Sequence, residues 1–128
     1  MAPADVMRRY LAHVQGGDWD TAFGMFSDDV VLHVPGRSPL AGERRGRQAA
    51  MDYIETARAL SHGMDVEVEL VDMLVSEERV ALVVRERFGR DGGDVEIRRA
   101  NVYTVRGGEI VEVWIFEADQ YAVDELLG

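Results

Sequence analysis

Cysteine is absent from the 128 residues. Disulfides, thiolate zinc sites and a cysteine nucleophile are therefore excluded, and the redox compartment stays unmarked. Lysine is absent too: all 14 basic side chains are arginine, which removes lysine Schiff-base chemistry. No stretch approaches the roughly 18 consecutive apolar residues of a membrane span. The first ten residues, interrupted by Asp5, Arg8 and Arg9, have no continuous apolar core of a secretion signal. A soluble, cytoplasmic protein is expected. Basic charge is scarce against 24 acidic side chains, giving a formal charge of −10; polyphosphates and anionic surfaces are repelled, so neither nucleic acid nor membrane is an expected partner. His13, His33 and His62 lack ligand-like spacing, and no metal is expected. Ser27, Ser38, Ser61 and Ser76 stand in no nucleophile-elbow context.

What is present is a 47% hydrophobic chain, long enough for one buried core and too short for two, so residues 1–128 are read as a single domain. Val6, Met7, Tyr10, Leu11 and Val14 recur at helical spacing between Pro3 and a Gly16-Gly17 stop. Asp18 suits the cap of a second helix carrying Trp19, Ala22, Phe23 and Phe26 on one face and ending at Ser27-Asp28-Asp29. Val30 to Val34 reads as a strand, and Pro35 to Gly42 as a loop. A third helix starts at Arg47, with Ala50, Tyr53, Ile54, Ala57 and Leu60 as its apolar stripe and Ser61-His62-Gly63 as its stop.

From Met64 the period becomes two. Val66, Val68 and Leu70 alternate with acidic residues, then Val71, Met73 and Val75 continue in the opposite phase, which predicts a β-bulge near Leu70. Strands follow at Arg79 to Phe88, Val95 to Val105 and Glu109 to Phe116, joined by turns at Gly89 to Gly93 and Gly107-Gly108. The tail from Asp119 to Leu127 predicts a closing helix. Helices followed by a bulged meander make an α+β arrangement: a curved antiparallel sheet with three N-terminal helices packed on and in it. The concave side of a bent sheet is either filled or left as a cavity, a common ligand site.

Three strings carry a family resemblance. Trp19 with its phenylalanine-rich helix leads into Asp28-Asp29-Val30; His33-Val34-Pro35-Gly36 is followed by Pro39-Leu40-Ala41-Gly42 and Arg45-Gly46-Arg47; and Gly108-Glu109-Ile110 precedes Glu112, Trp114 and Asp119. Together with the order of elements they resemble the SnoaL-like branch of the nuclear transport factor 2 superfamily over nearly the whole chain. The resemblance implies a cone-shaped, cystatin-like fold, no cofactor, a homodimer, and a pocket for a small hydrophobic ligand. Relatives use that pocket as cyclases, isomerases, epoxide hydrolases or plain binders, so fold does not fix activity.

The resemblance makes Asp119 the general base, since a carboxyl group in an apolar pocket is held near neutrality and suits proton abstraction beside a carbonyl; the competing reading of Asp119 is a helix N-cap. His33, before a Pro-Gly break, is expected at the pocket mouth, or else half-buried against a loop carbonyl. Arg99, Asn101 and Tyr103 share one strand face. If that face is concave, Asn101 orients substrate while Arg99 and Tyr103 bind it; otherwise Arg99 pairs with a cross-strand carboxylate such as Glu86 at the surface. Arg99-Ala100-Asn101 is similar to the Arg-x-Asp of limonene-epoxide-hydrolase relatives, but asparagine cannot be their general acid. Trp19, Phe23, Phe26, Trp114 and Phe116 line the pocket or fill the core, with Trp19 and Trp114 taken as substrate contacts. The leading expectation is a cofactor-independent cyclase or isomerase acting on a small hydrophobic carbonyl or polyketide-like substrate. The alternatives are a non-catalytic binding module and an epoxide hydrolase-like enzyme. Val83 and Val113 are expected on the sheet's outer face as part of a homodimer contact.

Overall fold

The computed structural model describes residues 2–59, 67–88 and 93–127. Helix α1 (Pro3–Gln15) buries Val6, Met7, Tyr10, Leu11 and Val14, the stripe its spacing predicts. The Asp18 carboxylate accepts the Thr21 N–H at 3.4 Å and starts α2 (Trp19–Phe23). That helix stops earlier than expected. Gly24 follows Phe23, and Phe26 opens strand β1 (Phe26–Val34) instead of completing the helical face. The spacing of Phe26 from Phe23 fits a helix, but its side chain reaches the core equally well from a strand, where it is 1% exposed.

A short strand follows where a loop was expected. Strand β2 (Gly42–Arg45) pairs antiparallel with β1, Val31 opposite Arg45 and Val34 opposite Gly42. It has no buried residue, hence no apolar alternation to announce it. Helix α3 (Arg47–Ala59) begins where the guanidinium of Arg47 donates to the Phe26 carbonyl at 2.6 and 3.2 Å, tying the helix start to β1.

Strands β3 (Glu67–Val75), β4 (Arg79–Phe88), β5 (Val95–Arg106) and β6 (Glu109–Glu117) form the meander, and α4 (Gln120–Leu127) closes the described chain. The sheet order is β2-β1-β6-β5-β4-β3, every pairing antiparallel except the parallel β1–β6 contact. The β3–β4 register slips between Leu70 and Asp72, where the alternation changes phase. Gly107 and Gly108, with φ of 59° and 80°, make a two-residue turn of the kind that joins hairpin strands. Leu60, the Ser61-His62-Gly63 stop, Met64 to Val66 and the Gly89 to Gly92 part of the β4–β5 turn lie outside the described residues.

Side chains of α1, α2, α3 and the inner sheet face form the main core, with Met7, Val30, Val80 and Ile110 fully buried. A second cluster joins Phe88 and Ile97 to Val123 and Leu126 of α4. Val113, expected outside, is 4% exposed and belongs to the inner face. The register shift that precedes it in β6 sets its phase. No described helix is long and apolar enough to cross a membrane.

Candidate functional site

Alternation along the strands decides which side chains meet. On β4, Val80, Leu82, Val84, Glu86 and Phe88 share the inner face; on β5, Ile97, Arg99, Asn101 and Tyr103 do. They bound a cavity of about 90 Å³, partly open to solvent. Its wall is mostly apolar, with Leu11, Val14 and Trp19 contributed by the helices and Leu82, Val84 and Ile115 by the sheet. Set into that wall are five polar groups: Tyr10, Glu86, Arg99, Asn101 and Tyr103; Tyr53 of α3 adds a sixth.

Arg99 organises this polar patch. Its Nε and Nη2 each donate to a Glu117 carboxylate oxygen at 2.8 Å, a bidentate fork, and Nη1 lies 3.3 Å from Glu86 Oε2. The Arg99 side chain is 8% exposed, Glu117 1% and Glu86 13%. Glu117 stands directly opposite Arg99 on β6, and Glu86 is its diagonal neighbour on β4. Burial pushes the Glu117 carboxyl above its ordinary value against the opposing pull of Arg99. Burial alone would lower the Arg99 guanidinium, but Glu86, Tyr53 and Glu117 together raise it, so it stays charged.

A second chain of contacts runs deeper. Asn101 Nδ2 donates to the Tyr103 hydroxyl at 3.4 Å, and the Tyr103 ring packs against that of Tyr10, their centroids 5.7 Å apart. Burial raises all three tyrosines, Tyr10, Tyr53 and Tyr103, well into the neutral phenol range. The Glu86 charge adds to the rise at both Tyr10 and Tyr103, which places these hydroxyls within electrostatic reach of its carboxylate. Asn101 Oδ1 is buried without a hydrogen-bond partner. Among the described residues no three His, Asp or Glu side chains are placed to hold a metal ion.

A bent sheet covered by helices in this arrangement has counterparts among known proteins. A family model described as a SnoaL-like domain matches residues 7–113. The chain belongs to the SnoaL-like family. This SnoaL-like chain is 34% identical over 125 residues to an uncharacterized protein of Mycobacterium tuberculosis strain H37Rv, covering 96% of this chain and 94% of that one. Its structure is similar to that of Bal32a from a soil-derived mobile gene cassette, with a TM-score of 0.88, 27% identity, and 98% and 96% of the two chains covered. It shares its fold with a second Mycobacterium tuberculosis protein, solved in complex with estradiol-17β-hemisuccinate, at a TM-score of 0.73, 22% identity and coverage of 90% and 93%.

The sequence-expected site residues of this SnoaL-like protein divide into two groups. Trp19, Arg99, Asn101 and Tyr103 line the cavity. Asp119, His33 and Trp114 do not. Asp119 is exposed, and its carboxylate accepts the Ala122 N–H at 3.1 Å as the N-cap of α4. Strand β6 runs to Glu117, and the chain leaves the sheet at Ala118, whose N–H still bonds Arg98 O at 3.0 Å. The buried carboxylate beyond Trp114 is therefore Glu117, two residues before the one expected.

His33 alternates with the buried Leu32 and Val34, and Trp114 with the buried Val113 and Ile115, so both face outward. Their rings stack with centroids 3.6 Å apart and planes 11° apart. His33 Nε2 meets Glu112 at 2.9 Å, with Glu43 at 3.8 Å from Nδ1; no loop carbonyl is involved. The hydrogen bond from His33 holds the Glu112 carboxyl below its ordinary value. Arg99 does pair with Glu86, as one sequence reading had it, but inside the cavity wall instead of at the surface. Tyr10 and Tyr53 were read as helix stripe residues without chemistry, and Glu117 was given no role. The signal that could have found Glu117 is cross-strand register, since it opposes Arg99.

Proposed function

We propose that this SnoaL-like chain holds a small, largely apolar carbonyl compound in the cavity and moves a proton on it without a cofactor, as a cyclase or isomerase does. One observation carries the reading: the Glu86–Arg99 pair is built into an otherwise apolar cavity wall. A buried ion pair contributes little net stability compared with apolar residues of similar volume. Its place beside a cavity fits chemistry better than scaffolding.

Glu86 takes the base role that the sequence suggested for Asp119. Its carboxylate accepts a proton from the carbon next to the substrate carbonyl and returns it to a second carbon, leaving the substrate rearranged and the protein unchanged. Charge developing on the substrate oxygen is met by Tyr103. Asn101 donates to the Tyr103 oxygen, which leaves the phenol proton available to the cavity. A distant fold neighbour was solved with estradiol-17β-hemisuccinate, a largely apolar steroid that also bears a free carboxylate; this supports the architecture as a holder of a bulky apolar skeleton.

The test is deuterium incorporation at the α-carbon of small cyclic ketones in heavy water, followed by proton NMR. Wild-type protein should accelerate exchange, and Glu86→Gln should lower the rate by about 100-fold or more. Binding with no accelerated exchange would leave a non-catalytic binding module. Exchange that survives Glu86→Gln would remove Glu86 from the mechanism.

The outer face supports the proposal of a homodimer. Leu74, Ala81, Val102, Trp114 and His33 form one row across β3, β4, β5, β6 and β1, with Val83, Ala100 and Phe116 in the next. Leu74, Trp114 and Phe116 are 58%, 40% and 53% exposed, an apolar strip a second copy would cover. Sedimentation at micromolar concentration should give twice the chain mass.

A further inference from the structure

The polar patch at the cavity is rich in hydrogen-bond acceptors, and its one cation is already engaged. All three nitrogens of the Arg99 guanidinium face a carboxylate: Nε and Nη2 face Glu117, and Nη1 faces Glu86. Arg99 is therefore engaged by the protein itself and is not presented to a ligand as an anion receptor. The remaining titratable groups at the cavity, Tyr10, Tyr53 and Tyr103, are neutral phenols. The patch thus sets two acidic side chains against one guanidinium. The chain as a whole, at a formal −10, adds to that field.

An independent observation points the same way. Asn101 lies between Arg99 and Tyr103 on the inner face of β5, and its Nδ2 is used on Tyr103. Its Oδ1 is buried and accepts nothing. Leaving a buried amide oxygen unpaired is unfavourable, and a bound molecule would relieve that by donating to it. Glu86, whose Oε2 faces Arg99 along one edge, keeps further acceptor capacity.

We infer that the cavity selects an uncharged molecule bearing a hydroxyl group, whose one proton goes to Asn101 Oδ1, and that it turns away carboxylates and phosphates of the same shape. This rests on the cavity being the ligand site, as proposed above, but not on any reaction taking place there. A substrate meeting both requirements is a hydroxylated carbonyl compound, with its carbonyl oxygen at Tyr103 and its hydroxyl nearer Asn101.

The test needs only the wild-type protein and three probes of one ring size: cyclohexanol, methylcyclohexane and cyclohexanecarboxylate, titrated at pH 7 by ligand-observed NMR. Cyclohexanol should bind about tenfold more tightly than methylcyclohexane, the worth of one well-placed hydrogen bond. Cyclohexanecarboxylate should bind more weakly than either. Asn101→Leu should abolish the preference for the alcohol while leaving methylcyclohexane binding intact or stronger. Glu86→Gln, which takes one carboxyl group out of the patch, should raise carboxylate affinity at least about fivefold. Carboxylate binding as tight as the alcohol in the wild type, or no preference of alcohol over hydrocarbon, would overturn the inference while leaving the cavity a ligand site. Failure of all three probes to bind would overturn it together with the pocket reading. Loss of ketone exchange alone would leave it standing.

Discussion

The two faces of the same sheet are built from neighbouring residues and behave as different materials. On the inner face, Arg99 is 8% exposed between carboxylates that are 13% and 1% exposed. On the outer face, one residue along each strand, His33 sits between Glu112 and Glu43, which are 31% and 50% exposed, and stacks on a half-exposed Trp114. Both set a nitrogen-bearing side chain between two acidic ones, with an aromatic neighbour. Only the inner one is desolvated, so only there does each charge depend on its partner for stability. Polar residue type alone does not tell a site from a surface; burial does.

The sharpest way to break this contrast is Arg99→Leu. It leaves Glu117 and Glu86 buried without their cation, and urea unfolding should show a loss of about 3–5 kcal/mol. If the loss were no larger than that from removing an outer-face charge, the inner cluster would not be the dry network described.

Next comes pH, where the two faces should respond with opposite sign. The folded-state pKa of Glu117 is raised from the ordinary 4.5, chiefly by burial. The folded protein then holds that proton more tightly than the unfolded chain, so this group's stabilising share is complete below pH 4.5 and is lost as pH rises through the raised value. Glu112 is lowered from 4.5, first by its hydrogen bond with His33. Its contribution is present above 4.5 and lost as pH falls through the depressed value. Denaturant midpoints measured across this range should therefore lose their decline above pH 4.5 in Glu117→Gln, and lose part of their decline below it in Glu112→Gln. Parallel changes in the two variants would contradict the assignment.

Much of the scaffold was legible because the physical signals were local. The phase change in the alternation after Leu70 located the β3 bulge, the Gly107-Gly108 pair located a hairpin turn, and Asp18 located the start of α2. Strand β2 was not legible because four polar edge residues carry no periodicity. The site was harder for a geometric reason. Alternation showed that Arg99, Asn101 and Tyr103 share a face, but not that the face is concave, and it gave His33 and Trp114 no sign that theirs is convex. Glu117 was hidden by register. Counted back from the Arg106–Glu109 pair at the turn, a regular hairpin would set Arg99 opposite Phe116; the slip between Thr104 and Val105 moves it to Glu117. One irregular residue thus decides whether the buried arginine meets a phenyl ring or a carboxylate.

That same shift bears on the smallest effect. With Glu117 turned inward, the chain has left the sheet before Asp119, which is then free to cap α4. Asp119→Ala should therefore cost about 1 kcal/mol in unfolding experiments, the ordinary worth of an N-cap. It should leave both ketone exchange and cyclohexanol affinity at wild-type values, whereas Asp119→Ser, which restores an acceptor at the cap, should recover most of the stability. An exchange rate that fell with Asp119→Ala while stability did not would return the base to position 119 and make the Glu86–Arg99–Glu117 cluster structural.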